Sequence, residues 1–427
     1  MKTPGPSTDF QNQEELKKHV FKTLDFYYPA CVDHEKGGYI NGFLDDGTIT
    51  DTTTKHLVAT SRYIYNFSVG AILGGGDAYL EAARHGIRFL NEHHRDHQHN
   101  GYFFEVNGTE VENPAKMAYG HAFVLLASSI AYKAGIEEAK DVMENVYDVL
   151  ETHFWDEDHG LYRDEWNADW TSLSPYRGQN PNMHLCEAML SSYEATGNEV
   201  YLRRAYTLAK MVTIDLAERS GGLVWENYTP EWEPDYMYNK GDTKDEFRPY
   251  GFIPGHQFEW AKLLMWLDRH RSEPWMLEKA EDLYERAWEL AWDNEYGGLF
   301  FAVSPELDVI DHDKNYWVMS EAIAASALLA AKTESQTYWE KYQQLFSYSA
   351  DNLMDHESVG ISSLTVRMRN TAKRKVRLPR RTIIPWRLVI RRSLRWMTQV
   401  NEYVKKQQCP LENKGAVFSN RYPQAYV

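Results

Sequence analysis

The chain has 427 residues but only three cysteines, Cys31, Cys186 and Cys409, none in CxxC spacing. That excludes a disulfide framework and a cysteine zinc ribbon. An odd count with no leader sequence points to reduced, cytoplasmic thiols. The opening MKTPGPSTDFQNQEELKKHV lacks the apolar core of a secretory signal, and no later run approaches a membrane span. No GxxxxGK[ST] phosphate loop, GxSxG elbow or GxGxxG dinucleotide fingerprint is present, so no cofactor is expected. Positive charge is scarce as well: the formal net charge is −16, which argues against nucleic acid as a partner.

What is present is a repeat. The segments HEKGGYI (34–40), HQHNGYFFE (97–105), DEDHGLYRDEW (156–166), SGGLVWENY (220–228) and NEYGGLFFAV (294–303) share one pattern of polar residues, glycine and aromatics. DHESVGI (355–361) is a damaged sixth copy. Taking Gly38, Gly101, Gly160, Gly222, Gly298 and Gly360 as markers, the intervals are 63, 59, 62, 76 and 62 residues. A period this long is a supersecondary unit that needs neighbours to bury its apolar face. Two helical stretches fit between successive markers. The periodicity predicts helices at 14–27, 53–72, 77–94, 114–134, 137–153, 181–196, 199–217, 255–270, 274–292, 314–331 and 336–353. Six such units describe an all-α (α/α)6 toroid with short hairpins on one rim. Its inner helices converge on a central cavity. Loop 229–254 matches the one long interval, and a long ordered loop of this kind is expected to form a cavity wall or lid.

The residues able to do chemistry cluster at helix openings. NPNMHLCEAML sets His184 three residues before Glu187, and PGHQFEWAKLL sets His256 three before Glu259, each pair on one helix face and each opening after a proline. KNYWVMSEAI puts Trp317 and Glu321 on one face, and MAYGHAF offers Tyr119 and His121. A helix N-terminus favours neutral imidazole, and neutral imidazole can act as a base near neutral pH. A single HxxE is more often a structural contact. Two of them beside a Trp/Glu opening favour a site. The order His-x-x-Glu is the reverse of the Glu-x-x-His of di-iron bundles, which disfavours a metal. The cluster His93, His94, His97 and His99 reads as a solvated turn. The high aromatic content, with 14 Trp and 28 Tyr, suits both helix packing and stacking against sugar rings.

At these residues the chain resembles the N-acylglucosamine 2-epimerase superfamily. The segments that carry the resemblance are TSRYIY (60–65), AYGHAF (118–123), RGQNPNMHLCEAML (177–190), PGHQFEWAKLL (254–264) and YWVMSEAI (316–323). The NxNMHxxEA form is similar to the branch that isomerises mannose and sulfoquinovose. The resemblance covers about residues 14–357 and implies an (α/α)6 barrel that interconverts an aldose and a ketose through a cis-enediolate, without metal or cofactor. It implies His256 as an acid/base residue with Glu259 as its neighbour. Arg62, Tyr119, Asn180, His184, Glu187, Glu259, Trp317 and Glu321 are implied to hold the sugar. A small-molecule sugar is then the partner, with no nucleic acid and no membrane. Three other readings stay open: a 2-epimerase, a glycoside hydrolase using Glu187, Glu259 or Glu321, and a non-catalytic sugar-binding protein.

The sequence departs from this pattern near its end. Residues 358–427 hold 16 Lys and Arg but 2 Asp and Glu, a net of +14, whereas residues 1–357 hold 30 and 60, a net of −30. The resemblance implies a second acid/base histidine in a last inner helix, yet no histidine follows His356. A frameshift near codon 358 explains both features. Reading one base earlier, Thr382 to Ile390 permits Asp-Tyr-His-Thr-Met-Ala-Ala-Cys-Tyr, and the codons after Ser358 permit the missing Gly-Trp-Tyr turn. The expectation is a catalytic barrel over 1–357 with about eleven of twelve helices, followed by a frameshifted basic segment over 358–427. Such a chain would expose apolar surface and isomerise little. The competing reading is a genuine basic tail for anionic partners.

Overall fold

The computed structural model describes residues 12–354, apart from Asp45 and Glu246. Among these residues eleven helices of at least eleven residues follow one another. They are α1 Gln13–Tyr27, α2 Leu57–Ile72, α3 Asp77–Phe89, α4 Ala118–Lys133, α5 Ala139–Val149, α6 Gln179–Thr196, α7 Glu199–Lys210, α8 Pro254–His270, α9 Pro274–Ala291, α10 Tyr316–Thr333 and α11 Gln336–Asn352. A π turn extends α3 over Leu90–His94, α5 over Leu150–Phe154 and α7 over Met211–Leu216.

The helices sort by their surfaces. In α3, buried Tyr79, Ala82, Ala83, Gly86 and Ile87 form one stripe and the opposite face is polar. By contrast, α4 buries every residue from Ala118 to Ala131, and α2, α6, α8 and α10 are buried almost all round. Only an inner position accommodates a helix apolar on every side. Inner helices α2, α4, α6, α8 and α10 pack in that order, each on the next, and each carries the following outer helix on its back. The arrangement is the (α/α)6 barrel that the repeat implies. Short antiparallel sheets of two or three strands link the units. The damaged sixth turn with Gly360, the missing twelfth helix and the basic segment all lie outside the described residues.

Two helix starts fall later than the periodicity predicts. The Thr-rich stretch before α2 forms a strand, Thr54–His56, paired with Glu105–Asn107, and β-branched residues favour that pleated setting. His56 then caps α2, its Nδ1 accepting from the Val58 amide at 3.1 Å. Likewise Lys116–Met117 is a strand before α4.

The marker glycines have a physical reason. Gly38 has φ +66° and Gly298 has φ +78°, a conformation that L side chains rarely adopt. A Cβ on Gly38 would stand 2.7 Å from Phe89 of α3, and one on Gly298 would stand 2.5 Å from Tyr348 of α11. The turn therefore lies flat against the next outer helix.

A buried ion pair ties the same turns to the inner helices. Asp33, Asp96 and Asp293 each open a turn and accept backbone N–H groups two and three residues on. Their second oxygens receive Lys55 at 2.7 Å, Lys116 at 2.8 Å and Lys314 at 2.9 Å. Each lysine is buried just before α2, α4 or α10. In the third turn Asp156 instead meets Arg163, His159 and the Trp232 indole. These ties fix where the site-bearing helix openings sit.

Removing one partner leaves the other buried and uncompensated. Lys116→Ala is expected to cost about 3–5 kcal/mol of unfolding free energy, read by urea titration, and Lys116→Met with Asp96→Asn, which keeps the acceptor for both amides, less. The pair also sets an acid limit. Burial pushes the Asp96 carboxyl up, but Lys116 and two backbone N–H groups outweigh it and hold it below its ordinary value. Asp33 and Asp293 are lowered by the same balance. Their stabilisation is therefore complete above the unfolded carboxylate value, about 4. It is lost as pH falls through the lower folded values.

Candidate active site

The N-terminal halves of five inner helices bring the predicted residues together. From α2, the Arg62 guanidinium lies 4.7 Å over the Phe123 ring of α4. Phe123 in turn meets His184 of α6 at 4.9 Å, and Tyr119 of α4 meets the same imidazole edge-on at 5.2 Å. His184 Nδ1 is 3.6 Å from Glu187 and 3.8 Å from Glu259 of α8. Asn180 donates to the Phe247 carbonyl at 3.3 Å. Its Oδ1 is a buried acceptor with no hydrogen-bond partner. Phe247 belongs to the long loop and packs on Tyr119 at 5.4 Å, so the loop reaches these residues. Arg248 anchors this part of the loop through Glu165 at 2.6 Å and Tyr238 at 3.2 Å.

Lys262, which the motifs did not single out, joins the carboxylates. Its Nζ is 2.7 Å from Glu321 of α10, 3.6 Å from Glu259 and 3.9 Å from Glu187. Among the described residues, His184, Glu187 and Glu259 form the one group whose ligand atoms lie close enough to hold a metal ion, within 4.8 Å of one another. The Lys262 ammonium already stands among these carboxylates, and a divalent cation there would meet it at close range. The donor set is therefore poor for a metal.

His256 occupies a separate wall. Its ring lies 5.1 Å from the Trp317 indole. That closeness requires Gly255, where a Cβ would fall 2.3 Å from Trp317. The expected neighbour Glu259 is not its partner. His256 Nδ1 meets Glu226 at 2.8 Å, while Glu259, one turn further along α8, faces His184 and Lys262. Glu226 lies in the fourth copy of the turn motif, which explains why helix spacing could not reveal it. With Nδ1 engaged, Nε2 is the ring nitrogen left for a ligand.

Two sequence candidates are structural. His121 accepts from the Tyr102 amide at 3.1 Å and meets the Met117 carbonyl at 2.8 Å, and burial pushes its pKa down to about 3. His94 is not in a solvated turn. It is fully buried between Thr60 at 3.3 Å and the Phe103 carbonyl at 3.1 Å, with its pKa lowered by burial to about 4. His97 and His99 are exposed, as expected.

An (α/α)6 barrel with histidines, carboxylates, an arginine and an indole at its inner-helix openings is the setting of a sugar isomerase or epimerase. The chain belongs to the N-acylglucosamine 2-epimerase (GlcNAc 2-epimerase) family, whose model matches residues 37–375. A D-mannose isomerase from Marinomonas mediterranea is 44% identical over 348 residues, covering 81% of this chain and 88% of the relative. A crystal structure of a D-mannose isomerase superposes with a TM-score of 0.81 at 43% identity, covering 85% of this chain and 91% of that one. The cellobiose 2-epimerase of Bacillus thermoamylovorans B4167 shares the fold, with a TM-score of 0.77 at 19% identity over 92% of this chain and 99% of that one. Among the described residues no helix is long and apolar enough to cross a membrane.

Proposed function

We propose that the chain is built as an aldose–ketose isomerase for D-mannose or a related free aldose. The observation that carries this reading is the convergence of His256, Trp317 and the His184–Glu187–Glu259–Lys262 cluster in a chain 44% identical to a D-mannose isomerase. The sugar ring opens, and a histidine removes the proton from C2. The C1 carbonyl oxygen gains a proton as the C2 hydroxyl loses one, through a cis-enediolate, and the abstracted proton returns to C1. Arg62 and a neutral donor such as Tyr119 stabilise the developing oxyanion, and the open Asn180 Oδ1 accepts from a sugar hydroxyl. Trp317 offers an apolar face to the sugar carbons. Glu187, Glu259 and Glu321 hold hydroxyls. Their common attachment to Lys262 speaks against a glycoside hydrolase, which needs two carboxylates placed across the scissile bond.

Incubating a version of the chain that carries the ending of the Marinomonas relative with D-mannose in D2O, and following it by NMR, tests the reading. The expected product is fructose, with deuterium at C1 only to the extent that the proton held on the histidine exchanges with solvent before it returns. Glucose as first product would make it a 2-epimerase. Cleavage of a mannose disaccharide would make it a hydrolase. Dialysis against a chelator is expected to leave the rate unchanged, and loss of activity restored by manganese would overturn the metal-free mechanism.

A further inference from the structure

We propose that Glu226 is a positioning residue that locks His256 in the tautomer with hydrogen on Nδ1, so that bare Nε2 faces the sugar. The catalytic consequence rests on the isomerase reading, but the tautomer does not. Glu226 precedes the strand Asn227–Tyr228, and its backbone carbonyl accepts from the Gln179 amide at 3.2 Å. Its side chain is almost fully buried, as are Gln179 and Trp260.

The hydrogen positions follow from the partners. The Trp260 indole N–H can only donate, and it donates to Gln179 Oε1 at 2.8 Å. The Gln179 NH2 must then point the other way. It donates to Glu226 Oε2 at 2.9 Å and lies 3.1 Å from His256 Nδ1. The remaining oxygen, Glu226 Oε1, is 2.8 Å from His256 Nδ1. An ionised carboxylate has no hydrogen to give, so a contact this short requires the hydrogen on Nδ1. With Glu226 ionised, the chain Trp260 to Gln179 to Glu226 to His256 has one consistent set of hydrogens: Nδ1 donates to Oε1, the Gln179 NH2 donates to Oε2, and the 3.1 Å approach of Gln179 to Nδ1 carries no hydrogen bond. It begins at an indole that cannot reverse its role. A buried carboxylate on the far nitrogen of a histidine fixes both ring angle and tautomer without touching the substrate.

Glu226→Gln is the discriminating substitution. The new amide must face the Gln179 NH2 with its oxygen, which turns its own NH2 toward His256. Nδ1 then becomes an acceptor, and the hydrogen moves to Nε2. Nitrogen-15 NMR of histidine-labelled full-length chain reads this directly, with His256→Asn assigning the resonances. The expected wild-type pattern is Nδ1–H, with the reverse pattern in Glu226→Gln. Glu226→Asp, which keeps an acceptor, should restore Nδ1–H. In any version that turns over mannose, Glu226→Gln should lower kcat by roughly 10²–10⁴-fold with little change in KM. Wild-type His256 bearing hydrogen on Nε2 would overturn the assignment, as would a Glu226→Gln protein with unchanged tautomer. A tautomer switch, with no mannose isomerisation even by a version carrying the ending of the Marinomonas relative, would uphold the positioning role and count against the isomerase reading alone.

Discussion

His256→Ala is expected to remove mannose turnover, by roughly three orders of magnitude or more, while the barrel stays folded. General acid–base catalysis contributes about 10²–10⁴-fold, and losing the base also loses the proton acceptor that no neighbour replaces. Lys262 is already committed to carboxylates, and Glu226 lies behind the imidazole rather than beside the sugar. The structural cost is smaller. The Glu226 carboxylate keeps its bond from Gln179, so the cost is on the order of 1–3 kcal/mol for one lost buried hydrogen bond and a small cavity. Circular dichroism and urea titration should show a native helix signal with a modestly lower midpoint. The comparison is best made in a version of the chain carrying the ending of the Marinomonas relative, where a baseline rate is expected. Retention of more than about one hundredth of that rate would remove His256 from the proton-transfer role.

The helices and the openings that carry His184, Glu187, His256, Glu259, Trp317 and Glu321 were legible because they are local. Apolar residues at helical spacing show themselves in any short window, and an HxxE pair lies within one turn. Tyr119 was read from a helix opening, whereas Arg62 and Asn180 have no such spacing signal and came only with the family resemblance. Glu226 was invisible for a different reason: it lies 30 residues before His256, in a turn whose pattern is about glycine and aromatics. Lys262 was within reach, since it stands three residues after Glu259 on the same face. The Asp–Lys ties also left a trace. The three pairs are 22, 20 and 21 residues apart, a near-constant interval from turn to inner helix. A search for recurring opposite charges, rather than for glycine alone, would have found them. His94 was misread because four histidines in a polar stretch look solvated. Nothing in the spacing reveals that one of them turns inward to bond Thr60.

Restoring the ending is expected to raise mannose turnover by about 10²-fold or more, the usual worth of one acid/base group. The argument starts from composition: the net charge runs from −30 over residues 1–357 to +14 over residues 358–427. A single protein surface has no reason to invert its charge at the point where a sixth repeat should complete its turn. The family match runs over residues 37–375. The family resemblance implies a second acid/base histidine near the end of the chain, and the sequence after His356 supplies none. We propose that a single-base shift near codon 358 replaced the ending, because the neighbouring frame permits both a Gly-Trp-Tyr turn and a Tyr-His pair. Resequencing the encoding DNA decides between the two readings of the tail. A clean codon run through position 358 defeats the frameshift and favours a genuine basic segment for anionic partners. The enzymology is independent of that result. On the proposed reading, the 427-residue chain should bind mannose, because the proposed binding groups lie at the described helix openings, and turn it over slowly or not at all. A version carrying the relative's ending should bind with similar affinity and isomerise. Robust isomerisation by the chain as it stands would show that His256 needs no second histidine. The proton relay would then have to be sought among His184, Glu187 and Glu259, which already lie within reach of one another.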